Sequence, residues 1–369
     1  MPVNEPIDLA ELRATLERAG NPWRSTSNSM TRLIEQERVN RLGVPVDETE
    51  HAEIMAAREQ YIAAAQEAAV QAADLPSAFD LRNIGGLDYT TPVKDQKNCG
   101  SCVAFGTVAT MEHVARYVDR APYLPADLSE AHAFYGYGRE AGVTCDTGWL
   151  PEPLLEKARD SGITFEDYFP YTPGNQDSSK LNPDWPNRRA NVVNWTNDTN
   201  DPAAIKRSIA TYGSAIACFY VYQDFFSYGG GVYRPQTDKL AGGHCVSLVG
   251  YDDAQSCWIA KNSWGTDWGE HGFFRIGYGE CGIERWHACG IQGVSLRAWL
   301  ADQRILGLWS NEVDANVWAY GELRGWLSLG SNVSATDAAM LAELAASKSA
   351  GAKVGLFEDN GSVQQIYAW

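Results

Sequence analysis

Three observations predict an α+β fold. An apolar helical segment spans 102–118 and opens on glycine and cysteine rather than on charge. After Gly213 the chain turns to short β-rich runs, SAIACFYV, GGHCVSLVGY, SCWIAKNSW and HGFFRIGYG, divided by Gly and Asp at the spacing of an antiparallel sheet or partial barrel. The texture also changes near residues 73 and 296, so a middle domain, 74–290, is expected between two additions, 1–73 and 296–369.

Leu9, Leu12, Leu16 and Ala19 fall at helical spacing and predict an amphipathic helix over 8–19, stopped by Asn21 and Pro22. Leu33, Ile34 and Val39 suggest a second short helix, ended near Gly43 and Pro45. Residues 50–73 are alanine-rich without Pro or Gly, which predicts a third helix capped by Asp47 or Thr49. In the middle domain, helices are expected to start near Pro153 and to span Asp201–Tyr212. Beyond 296, ILGLWS, NVWAY, GWLSL, AKVGLFED and VQQIYAW read as strands and 335–347 as a helix capped by Ser334 or Thr336. This describes a separate small β-rich unit, OB-like or SH3-like. It holds Trp299, Trp309, Trp318, Trp326 and Trp369; large aromatics in so small a unit are expected in its core, and an exposed carbohydrate- or partner-binding row is the alternative.

With 44% apolar residues, the 369-residue chain can bury a large core, which excludes wholesale disorder. Acids outnumber bases 47 to 30, a net charge of −17, which argues against a nucleic-acid partner and a polybasic membrane anchor. No apolar run is long enough to span a bilayer, and the charged N-terminus has no apolar signal core. Export by another route and an acidic compartment stay open. Eight cysteines are few for a disulfide-built scaffold of this length.

The chemistry concentrates in two places. In QKNCGSCVAF, residues 96–105, a cysteine stands at the N-terminus of an apolar helix, where unpaired N–H groups and the helix dipole stabilise a thiolate. Cys102 is therefore expected as an exposed nucleophile and Cys99 as its structural neighbour; a CxxC redox pair is the competing reading. The second place is GGHCVSLVGY at 242–251, followed by WIAKNSWGTDWGEHGFF at 258–274. A lone histidine such as His244 is more often structural. Beside an activated cysteine it becomes the proton partner, with the Asn262 amide to orient its far nitrogen and Trp264 to shield that bond. No second tight Cys/His pair suggests a metal site, and no organic cofactor is implied.

Over about residues 75–290 these blocks resemble the papain-like cysteine peptidases, the cathepsin and papain family. DLPSAFDLR resembles the mature N-terminus, TPVKDQKNCGSCVAF the nucleophile motif, GGHCVSLVGYD the histidine motif and KNSWGTDWGEHGFFRI the asparagine motif. The resemblance implies a two-lobed fold, a helical lobe beside a β-barrel-like lobe, and hydrolysis of peptide bonds. It implies Cys102 as nucleophile, His244 as general acid/base, Asn262 as orienting residue, and Gln96 with the Cys102 N–H as the oxyanion hole. CDTGW at 145–149 resembles the family's cysteine–glycine–glycine loop, which implies that the Gly148 backbone pairs with extended peptide. Trp149, Leu150, Cys218, Gly242, Gly243, Cys245, Trp264 and Trp286 then fall at or near the substrate surface. Its apolar lining implies an aliphatic or aromatic residue two positions before the cut.

Departures accompany the match. Val103 stands where the family usually has tryptophan, Gly243 where it has Asp or Asn, and Thr147 at the loop's first glycine. The resemblance implies a Cys99–Cys145 disulfide. Cys281 lacks its usual partner and could pair with Cys289; Cys218, Cys245 and Cys257 are expected as buried free thiols.

The resemblance also implies a zymogen, of a bacterial type with an extra C-terminal domain. Residues 1–73 are then expected as a helical pro-segment whose 23–46 stretch crosses the cleft in a nonproductive direction, with cleavage near Ala72–Leu75. A permanent helical appendage is the plainer alternative. Expected partners are protein or peptide substrates and proteinaceous cysteine-peptidase inhibitors. For the C-terminal unit they are the peptidase domain or a carbohydrate or protein ligand. Exopeptidase or transpeptidase chemistry with the same triad, and a binding or adhesion protein with an ancillary peptidase domain, stay open.

Overall fold

A computed structural model describes residues 6–63, 74–313, 316–329 and 334–368. The helix Leu9–Arg18 starts at Asp8, whose carboxylate accepts from the Ala10 and Glu11 N–H groups. Strand β1, Trp23–Ser25, and the helices Glu35–Val39 and Glu48–Ala56 follow. The third expected helix is interrupted at Ala57; its residues 64–73 lie outside the described residues, as do Trp369 and the first half of the expected cleavage region, 72–73.

Strand β2 is Ala78–Asp80, and the helix Cys102–Val118 is buried along most of its length. The helix Pro151–Asp160 and strands β3 (Ile163–Thr164), β4 (Arg189–Val192) and β5 (Trp195–Asn197) precede the helix Pro202–Tyr212. Then come β6 (Ala215–Tyr222), β7 (Tyr228–Tyr233), β8 (Leu240–Asp252), β9 (Cys257–Lys261), β10 (Phe273–Gly277) and β11 (Ala288–Ile291). They form a nine-stranded sheet in the order β1-β7-β10-β9-β8-β6-β11-β5, with β2 on β8. Among the described residues its ends β1 and β5 do not pair, so the expected barrel-like lobe is described as an open sheet. The long helix packs on β8, which brings Cys102 at its start beside Cys245, the neighbour of His244 on β8.

The C-terminal residues have their own core but are joined to the middle domain by a continuous strand. Strand β12, Val294–Ser310, runs across the expected boundary at 296: its first residues pair with β4, the next with β15 (Lys353–Asp359), the last with β13 (Val317–Gly321). With β14 (Gly325–Ser328) and β16 (Ser362–Ala368), the pairing path β12-β13-β14-β16-β15 returns to β12. The helix Ser334–Ala350 lies between β14 and β15 in sequence. Leu300, Ile305, Leu327, Leu344, Val354 and Leu356 fill the interior. The tryptophans do not: Trp299, Trp309 and Trp326 are each more than 40% exposed. The strand period of two explains it, since the aliphatic neighbours of Trp309 and Trp326 take the inward positions and turn the indoles outward.

Candidate active site

Strand β8 carries His244 opposite Phe219 of β6, and β9 ends at Lys261, just before Asn262. The Asn262 Oδ1 already accepts the Ser263 N–H at 2.8 Å, so it is the acceptor at 2.8 Å for His244 Nε2. The imidazole therefore donates from Nε2 and keeps its lone pair on Nδ1, the nitrogen needed for proton abstraction. Nδ1 has no hydrogen-bond partner here. The Trp264 indole lies 4.7 Å from the ring, centre to centre, and encloses the His–Asn bond. Burial pulls the His244 pKa down to about 4, opposed by Asn262.

Cys102 is the first residue of its helix, but the expected exposed thiol is fully buried. Burial, then the neighbouring Cys245, push its pKa up; the N–H groups of Cys245, Gly43 and Val103 oppose this. Burial thus disfavours charge on both the thiol and the imidazole, and no hydrogen bond joins them among the described residues.

The physical reason is a strand laid over them. Gln96 Nε2 donates to the carbonyl of Arg41 at 2.9 Å and to that of Cys99 at 2.8 Å. Its Oε1 accepts from Ser263 Oγ at 2.7 Å, which fixes the amide's orientation. The N–H groups of Gly43 and Val44 both donate to the carbonyl of Gly243 at 3.1 Å, and the Trp149 N–H donates to the carbonyl of Gly43 at 2.8 Å. The Arg41 guanidinium pairs with Asp95 at 2.7 Å. The amide that grips the extended strand is therefore that of Trp149, not the expected Gly148. Gly148 serves by lacking a side chain: a Cβ there would stand 2.1 Å from the Gly43 oxygen.

The remaining expected residues divide. Gly242 lies under Leu42, and Gly243 lies under Val44. Cys218 and Cys245 face each other across β6 and β8, both buried. Trp286 stacks on Tyr220 at 4.3 Å, centre to centre, overlies Gly243 and donates to Glu50 at 3.1 Å. Leu150 is half-buried and begins the helix Pro151–Asp160, with no contact to the 41–44 strand among its described hydrogen bonds. Cys99 and Cys145 form a disulfide that ties the nucleophile loop to the CDTGW loop. Cys281 and Cys289 are both free and buried, so they do not pair. Among the described residues, no cluster of His, Cys, Asp or Glu converges on a metal position.

Sequence reasoning missed Ser263, which orients Gln96, and Gly43, whose signal was only a glycine among apolar residues.

A family model described as papain family cysteine protease matches residues 75–292. The "Cathepsin B-like cysteine proteinase 6" of Caenorhabditis elegans is 33% identical over 57% of this chain and 65% of its own, so this chain spans just under two thirds of that relative. The "Cathepsin B-like CP3" of Giardia intestinalis is 35% identical over 60% of this chain and 76% of its own. Among solved structures, "proCathepsin B S9 from Trypanosoma congolense" superposes with a TM-score of 0.61 at 22% identity, covering 78% of this chain and 99% of that one. The digestive procathepsin L 3 of Tenebrio molitor larval midgut gives 0.57 at 23% identity, covering 77% and 88%. These structures speak for the two-lobed fold. All four are eukaryotic and lend nothing to the bacterial-type label. With the family model covering more than half of its length, the chain belongs to the papain family of cysteine proteases.

Proposed function

We propose that this chain is the latent form of a thiol-dependent endopeptidase, with residues 1–73 as the inhibitory pro-segment. One observation carries the reading: the Arg41 carbonyl occupies the Gln96 amide that would otherwise receive the oxyanion. The direction of the strand supports latency. Arg41, at the hole, precedes Gly43, which pairs at Trp149. A substrate gripped by its acyl side at Trp149 would place that residue before the scissile carbonyl, so the strand runs the other way and offers Cys102 no bond to cut.

Once the strand leaves, the chemistry follows from the residues. The Cys102 thiol gives its proton to His244 Nδ1, and the thiolate attacks the peptide carbonyl. Gln96 Nε2 and the Cys102 N–H hold the oxyanion, which is worth about 3–4 kcal/mol in the transition state. His244 returns the proton to the leaving amine. It then takes one from water, whose hydroxide releases the acid and restores the thiol. Asn262 keeps the ring in register throughout. We assign the apolar floor of Cys218, Cys245 and Trp286 to the residue two positions before the cut.

The test is a time course of peptide hydrolysis by the full-length chain with reductant, followed by intact mass, with Cys102→Ala as control. Activity that rises as the N-terminal segment is lost, and is absent in the variant, supports the zymogen. Full activity at constant mass would sink the inhibitory role and leave the peptidase.

A further inference from the structure

The peptidase chemistry does not account for the outer face of the C-terminal barrel. Leu308, Val317, Ala319 and Leu327 point into its core. Their alternate neighbours Trp309, Trp318, Tyr320 and Trp326 therefore share the opposite face of β12, β13 and β14. Register brings them together: Trp309 lies opposite Trp318, and Tyr320 opposite Trp326. The Trp326 ring meets the Tyr320 edge at 5.2 Å between centres. Its far end comes within 3.4 Å of the place a Cβ on Gly307 would take, on the strand beyond Tyr320. The indole thus lies along the sheet instead of standing from it, with a face open to solvent at 47% exposure. The loop joining β12 to β13 braces the row: Trp318 Nε1 donates to Asn316 Oδ1 at 2.7 Å, and Asn316 Nδ2 to Asn311 Oδ1 at 3.0 Å.

A pre-oriented row of flat rings with amides at one end selects a ligand with flat apolar faces and hydroxyl edges. Charge narrows the choice. The barrel's three arginines are already paired, Arg297 with Asp359, Arg304 with Glu322, and Arg324 with Glu358. A phosphate backbone would find little to neutralise it on a chain of net charge −17. By analogy, the closed order of five strands with a helix between the third and fourth is that of OB barrels, which bind oligonucleotides or oligosaccharides across strands two and three and the first loop. We propose that this face binds a neutral polysaccharide, its pyranose rings stacked on Trp309 and Trp326 and its hydroxyls met by Asn311 and Asn316.

The experiment is sedimentation of the full-length Cys102→Ala protein with microcrystalline cellulose, chitin, starch granules and an insoluble β-1,3-glucan. Single-stranded DNA and denatured casein on beads serve as competing classes. Retention on at least one neutral glycan is expected, unchanged between low and high salt. It should weaken about tenfold or more in Trp326→Ala and Trp309→Ala and return in Trp326→Tyr. Both rings are at the surface, so thermal unfolding should stay at the parent temperature. Hydrolysis of a short peptide by the Trp variants in the Cys102 background should also be unchanged. Failure on all four glycans, equal retention by the double tryptophan variant, or binding only to DNA or casein would overturn the proposal.

Discussion

Gly43 and Gly100 meet backbone to backbone directly above the nucleophile loop: a Cβ on Gly43 would fall 1.9 Å from the Gly100 oxygen. No side chain fits between them, so the strand reaches the oxyanion amide only because both positions are glycine. Gly43→Ala should cost about 1–3 kcal/mol of docking through overpacking, weakening latency roughly five- to 150-fold. The check is initial peptidase activity of the unprocessed chain, which should rise in this variant. Unchanged latency would show that the ion pairs, not the strand, hold the segment.

Latency should also weaken with acid. Burial holds His244 down to about 4, below its ordinary value, and undocking the strand from its neighbour Gly243 is expected to relieve that burial. The uncovered enzyme therefore binds more protons in the interval between them, and the covered state loses stability as pH falls from about 6.5 towards 4, by up to about tenfold per unit per proton. His51, lowered by burial with its ring edge-on to Tyr220 and bonded to Tyr222, adds the same sign. Asp95 is held below the usual carboxylate value, its burial outweighed by Lys97 and Arg41, so its pairing persists through that window. The half-time of conversion should shorten steadily across it, and His51→Phe should make the slope shallower.

Removing the amide at 96 separates positioning from binding. Gln96→Ala should lower kcat by about 10²–10³ through loss of one oxyanion donor, with KM little changed. Steady-state kinetics on the processed enzyme decide it; a fall confined to KM would assign Gln96 to substrate binding alone.

Trp286 and Gly243 should act as a pair in specificity. A Cβ at 243 would lie 2.4 Å from the Trp286 ring. Gly243→Ala alone should depress kcat/KM, and the same change in a Trp286→Ala background should be tolerated. Trp286→Ala should favour peptides with a larger residue two positions before the cut, measured with a library varied there. Additive losses in the double variant would refute the coupling.

Arg324 is nearly enclosed, with two bonds to Glu358 at 2.7 and 2.6 Å and an ion pair to Asp119 at 2.8 Å, just past the end of the catalytic helix. Glu358→Ala should cost about 3–5 kcal/mol by leaving a buried cation underpaired. Thermal unfolding reads this directly.

The side chains proposed as catalytic stood out in the sequence because a thiol on an apolar helix, a histidine in a strand and an amide at a strand end are each unusual in their settings. The grip of the strand was not, because it is made by backbone groups of Trp149 and Gly243 that no residue type announces. Gly43 was invisible for a related reason: its function is the absence of atoms. The tryptophans of the C-terminal strands misled because bulk suggested burial, whereas alternation with Leu308, Ala319 and Leu327 decides which way each faces. The unit's boundary misled because texture changes at 296 while the hydrogen-bond ladder does not.

That shared strand has a mechanical meaning. Because β12 pairs with β4 of the peptidase at Val294 and with β15 of the barrel by Leu300, the cutting groove and the aromatic row are joined by one paired strand, interrupted only by register shifts at Leu300–Gln303 and Ile305–Gly307, and not by a free linker. A molecule held by the barrel would set the bearing of the groove like a tool on a rigid shank. Cuts would then fall at a constant stand-off from the point of attachment, instead of anywhere within the sweep of a flexible tether.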